Sequence, residues 1–238
     1  GDFINRGPQS VEVLKLVKSL QESGDAIVVL GNHEFKLIQN FVAGKSSSDE
    51  FVPFIPWLRT LPLFLELETL RIVHAAWHFS SIDILEQTLV ADDLFIKETL
   101  KKGSVYHKAS QTIVSGIKID IPENFRLVDR FNIRRKKARL KWWMELNGKP
   151  YSECFFSPMF PEVSDNGPIE RDVNMIEPYS KKDKPVFIGH YCLPENLPKV
   201  FDQVVCLDGC VSYDNTLWGY RHEGEHTPST SNLFQAKL

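Results

Sequence analysis

The chain has 238 residues, 42% of them hydrophobic and 25% charged, enough to bury a sizeable core in one large domain or a domain with a cap. A net charge of −3 and a sequence pI of about 6.2 exclude global electrostatic recruitment to nucleic acid or to an anionic membrane. No apolar run approaches the roughly twenty residues of a membrane span and no charged-then-apolar leader precedes the first motif, so a cytoplasmic protein is expected.

The first thirty-odd residues organise the chain. They open on GDFINRGPQS, which carries a carboxylate (Asp2) and a guanidinium (Arg6) beside tight glycine turns. Val13, Leu14, Val17 and Leu20 then keep helical spacing, with Ser10 a candidate N-cap and Gly24 a candidate stop. The β-branched run at 26–30 reads as a buried strand, ended by Gly31, so that Asn32 and His33 project from its carboxyl end. Loops at that edge of an α/β sheet are where sites collect. A crossover helix between two such turns lets Asp2 and Asn32 share one site.

Residues 34–43 are helical by pattern, followed by a flexible loop over 44–49 and a proline-broken apolar stretch (Pro53, Pro56, Pro62) suited to short helices over the sheet. Residues 63–68 and 70–73 read as two strands about a tight turn, the second delivering His74. From 80 to 102 the spacing of Ile82, Leu85, Leu89 and Leu94 predicts a helix. A cap or insertion is expected over about 80–184, with a break at Gly116 and Pro122 and loops over 157–179. It contains a basic run, Arg134 to Arg139, followed by Trp142 and Trp143. That run reads either as a second phosphate clamp with aromatic stacking for a nucleobase or as a solvated basic helix whose tryptophans join the core. An apolar strand at 185–188 ends in Gly189-His190, further strands are expected at 204–207 and 217–221, and the tail from Thr227 reads as frayed or as an edge strand. Four cysteines (154, 192, 206 and 210) form no C-x-x-C and are expected to be reduced structural thiols.

The ordered motifs GDFINRGP, GNHE, VHAAWH and GHY, with a closing LWGYRHEGE, resemble the calcineurin-like metallophosphoesterases, in the branch of the Ser/Thr phosphoprotein phosphatases and bacterial diadenosine tetraphosphatases. The resemblance implies an α/β fold, a two-sheet β-sandwich flanked by helices, in a single domain spanning 1–238. It also implies metal-dependent hydrolysis of phosphoesters or phosphoanhydrides by metal-bound hydroxide, on a phosphorylated small molecule or a phosphoprotein. Asp2, Asn32, His74 and His190 are implied as metal ligands, His33 as the general acid, Asn5 as its partner and Arg6 as the phosphate clamp, with Arg221 near the substrate. The mixed oxygen and nitrogen donors suit manganese, with iron or zinc as alternatives.

The chain departs from the family pattern at three points. It begins at the GD motif, without the Asp-x-His segment that opens the family, so an N-terminally truncated domain is expected, with one of the two metal sites weak or empty. Asn5 stands where the family usually has aspartate, and Cys192 where a GHxH variant has its second histidine. These departures motivate an alternative, a catalytically weak relative that binds phosphorylated ligands or a partner without turnover.

Overall fold

The computed structural model describes residues 1–46, 48–121, 134–156, 176–193, 199–211 and 215–237. Pro122 and residues 157–175, assigned above to a break and to loops, lie outside the described residues. The helices are α1 (Ser10–Glu22), α2 (Asn32–Val42), α3 (Ile55–Leu58), α4 (Phe79–Leu85), α5 (Asp93–Leu100), α6 (Val105–Ser115) and α7 (Tyr151–Cys154). The strands are β1 (Phe64–Glu66), β2 (Arg71–Val73), β3 (Lys118–Asp120), β4 (Lys137–Arg139), β5 (Val186–Ile188), β6 (Val200–Phe201), β7 (Val204–Cys206), β8 (Thr216–Tyr220) and β9 (Leu233–Lys237). The chain divides into two compact units: Gly1–Ser115 with Val186–His190, and Gly116–Pro185 with Tyr191–Leu238.

In the first unit α1 forms where the helical spacing predicts it. Gly24 stops it at φ +83°, a left-handed turn that glycine adopts without strain, and the Asp25 and Ala26 N–H groups fold back onto the Leu20 carbonyl. Only Leu14 of its apolar residues is buried, while Leu16 and Leu20 stay exposed. The run at 26–30 buries Val28, Val29 and Leu30, yet it is not a ladder strand. Its hydrophobicity is what a buried strand needs, but a strand also requires a ladder of paired backbone; among the described residues the run has the turn bond of Ala26 to Leu20 and a bond from Leu30 N–H to the Pro62 carbonyl, 3.0 Å.

β1 and β2 form the expected antiparallel hairpin, and β2 runs parallel to β5 with Arg71 opposite Val186 and Ile72 opposite Phe187. β5 is buried throughout, as a continuous apolar strand in a parallel pair should be. The parallel register brings the segments after β2 and β5 out at one edge, where Gly189 N–H donates to the His74 carbonyl at 2.9 Å. The helix expected over 80–102 is two helices, α4 and α5. The Asp92 carboxylate accepts the Leu94 N–H at 2.8 Å and starts α5 afresh.

In the second unit the second half of the basic run is a strand, and none of the run is helical. Lys137–Arg139 pairs with Lys118–Asp120, alternating the buried Ala138 with its charged neighbours. Trp142 and Trp143 are core residues, edge-on to Tyr179 and to Phe156 and Tyr191, so the stacking-platform reading of these tryptophans is not supported. Cys192 and Cys210 are disulfide-bonded, correcting the expectation of four reduced thiols. They are 18 residues apart, and the fold brings together what the spacing alone does not pair. Cys154 and Cys206 are buried free thiols, as expected. The tail is an edge strand, β9, in full antiparallel register with β8 from Thr216↔Lys237 to Tyr220↔Leu233.

Candidate active site

Asp2, Asn5, Asn32, His33, His74 and His190 all lie in the first unit. Asn32 and His33 are the first residues of α2, with Gly31 as its N-cap, whereas the sequence places them at a strand end. The distinction matters, because a helix N-terminus offers free N–H groups to an anion. The Asp2 carboxylate takes one of them, from His33, at 3.2 Å. Gly31 permits this approach, since a Cβ there would collide with the Asp2 backbone nitrogen and with its carboxylate.

One further residue of the GNHE motif holds this turn in place. Glu34, the third residue of α2, is fully buried and its oxygens accept the backbone N–H groups of Asp2 (2.8 Å), Phe3 (2.7 Å), Ile4 (3.2 Å) and Gly31 (3.1 Å). Its reach back to the N-cap N–H is half of a capping box. A Glu at the third helical position was the available signal; the bonds to residues 2–4 cross some thirty residues and left none.

Four donor atoms converge above this frame. Asn32 Oδ1 lies 3.1 Å from His74 Nε2 and 2.9 Å from His190 Nδ1. Asp2 Oδ1 lies 3.3 Å from His74 Nε2. Donor atoms of Asp2, His74 and His190 all lie within 4.8 Å of one another. Bonds of about 2.0–2.2 Å around one cation place neighbouring ligand atoms roughly 3–3.5 Å apart, so this set fits a divalent ion, with mixed oxygen and imidazole donors. Burial pushes the Asp2 carboxyl up, but the hydrogen bond and charge of His74, with the charge and N–H of His33, more than offset it and hold it well below the usual carboxylate range. Asp2, Asn5 and His190 have φ of +60°, +70° and +66°. Such left-handed backbone in non-glycine residues costs about 1–3 kcal/mol each and clusters at sites that require it.

His33 stands beside the cluster, its Nε2 3.9 Å from Asp2 Oδ2. The Asn5 side-chain amide lies 3.2 Å from His33 Nδ1, within hydrogen-bond reach of the ring. Arg6 is exposed and lines a cleft with Asn5, Ser10, Glu12 and Glu50. Arg221 lies in the second unit just after β8, its N–H bonded to the Asn232 carbonyl. His78 is an N-cap residue of α4 with its Nδ1 2.8 Å from Ser81 Oγ, a structural position.

A family model described as calcineurin-like phosphoesterase matches residues 1–150. The chain belongs to this family. A symmetrical bis(5'-nucleosyl)-tetraphosphatase of Vibrio vulnificus strain YJ016 is 27% identical over 228 residues, covering 89% of this chain and 78% of the relative. Proteins of the same name from Aromatoleum aromaticum and Buchnera aphidicola are 41% identical over 88 residues and 43% over 76, covering 32% and 27% of this chain. Membership makes the chain a phosphoester hydrolase with a mixed α/β fold, in a family whose chemistry uses divalent metal ions. No helix among the described residues is long and apolar enough to cross a membrane.

Proposed function

We propose that this calcineurin-like chain hydrolyses phosphoanhydrides of the bis(5'-nucleosyl) polyphosphate type, with a divalent ion, manganese first, held by Asp2, Asn32, His74 and His190. The convergence of those four side chains within about 3 Å steps, with His33 alongside, carries the proposal. A bound ion there supplies Lewis acidity toward a phosphoryl oxygen and lowers the pKa of water. Asp2, kept ionised, brings the negative charge that a cation requires, and Glu34 fixes its backbone by four N–H bonds. His33, as imidazolium, donates a ring proton to the departing oxygen, and Arg6 clamps phosphate oxygens with its planar fork. The similarity to tetraphosphatases over most of the chain favours a dinucleotide over a phosphoprotein.

Chromatography of the products of diadenosine tetraphosphate tests this reading. ADP as the sole product, with manganese required, supports it; absence of turnover under those conditions contradicts it. One observation favours a second reading, a weak relative that binds phosphorylated ligands: the residue beside His33 is the neutral amide of Asn5, which brings no negative charge to stabilise an imidazolium.

A further inference from the structure

Two clefts meet at Asn5 and differ in charge. The one that Arg6 lines, about 810 Å³, also carries the carboxylates of Glu12 and Glu50. The other, about 390 Å³, is lined by His33, Lys36, Asn40, Ser48 and Phe51, with no carboxylate among the described residues that line it. That volume falls within the roughly 300–1,000 Å³ of small-molecule sites. His33, Lys36 and Asn40 recur at helical spacing along α2, so one helix face presents them together. Lys36 is exposed and has no ion pair among the described residues.

We propose that this second cleft receives the leaving group, and that Lys36 selects leaving groups that carry a phosphate of their own. The inference rests on the role given to His33 above. A water oxygen bonds to phosphorus and releases a proton to solvent. The P–O bond to the leaving group breaks, its electron pair stays on the leaving oxygen, and that oxygen takes a ring proton from the His33 imidazolium, which becomes neutral imidazole. The group so protonated must extend from His33, and the cleft that His33 lines offers it space. An alcohol or phenol leaving group brings no charge for Lys36 to meet. A nucleoside diphosphate brings a phosphate for the ammonium and an apolar base for the Phe51 wall. Lys36 thereby acts as a specificity residue for anhydrides over simple monoesters.

The test is calorimetric titration of the manganese-loaded protein with ADP and with phenyl phosphate, in wild type, Lys36→Gln and Lys36→Arg. The expected result is that the ratio of ADP to phenyl phosphate affinity falls at least tenfold in Lys36→Gln and is largely restored in Lys36→Arg. A ratio unchanged in Lys36→Gln, or a wild type that binds ADP no better than phenyl phosphate, overturns the inference. His33-dependent hydrolysis of p-nitrophenyl phosphate, measured on the same wild-type protein, tests the role of His33 separately. Turnover with an unchanged affinity ratio sinks the cleft assignment alone, whereas no turnover with an altered ratio sinks the catalytic reading.

Discussion

The Glu34 carboxylate accepts the Asp2 backbone N–H at 2.8 Å, so the first turn of α2 holds the residue that carries the site's negative charge. The same carboxylate takes three further N–H groups. Removing it leaves several buried donors unmatched at once, a penalty that exceeds the net worth of any single bond.

Glu34→Ala is therefore expected to destabilise the protein by about 3 kcal/mol, a fall in melting temperature of roughly 6–12 °C. Manganese affinity should fall with it, because Asp2 loses its backbone support. Thermal melts with and without manganese measure both effects. A variant as stable as wild type would show that the four N–H groups are not held by this carboxylate.

Asn5→Asp is expected to raise turnover by about tenfold, since a carboxylate beside His33 Nδ1 favours the protonated ring that general-acid catalysis requires. The sign on pH follows from the same charge. The protonated form persists to higher pH, so the alkaline limb of the rate profile moves upward. Unchanged rate and unchanged limb, with metal bound, would remove Asn5 from the mechanism.

Manganese at a hundred times its Kd should stabilise the wild-type protein by about 2.7 kcal/mol, reversibly with a chelator. His74→Ala deletes the donor that sits within 3.3 Å of both Asp2 and Asn32, and the stabilisation should disappear with it. Equal melting shifts in wild type and variant would place the ion elsewhere.

Iodoacetamide is expected to modify no cysteine of the native, oxidised protein. Burial pushes the Cys206 thiol up to about 12 and raises that of Cys154, while Cys192 and Cys210 are bonded to each other. Mild reduction should expose two sites, and reduction with denaturation all four. Mass spectrometry counts the labels; alkylation of the native protein at Cys206 would contradict its burial.

The convergence of Asp2, Asn32, His74 and His190 was legible in the sequence because each sits at a punctuated end. Asn32 follows Gly31, and His74 and His190 follow short apolar strands whose parallel pairing brings them to one edge. Asp2 was legible through its motif. What escaped depended on contacts between distant segments. Glu34 looks like an ordinary first-turn helix residue until its partners at residues 2–4 arrive, and Cys192 meets Cys210 only once the chain between them has folded. The run at 26–30 and that at 134–139 erred in opposite directions, for one reason. Hydrophobic pattern reports burial, but only a partner backbone makes a strand: residues 26–30 form no ladder, and Lys137–Arg139 has one in β3.

Manganese-dependent hydrolysis of p-nitrophenyl phosphate, with His33→Ala prepared identically, measures whether the ion and His33 act together. If the ion is held by Asp2, Asn32, His74 and His190 and His33 supplies the proton, wild type turns over. Turnover should then fall by roughly 10²–10⁴ in the variant while its manganese content stays the same. Equal rates in the two proteins would contradict the account and leave a chain that holds metal and phosphate without the catalysis assigned to His33.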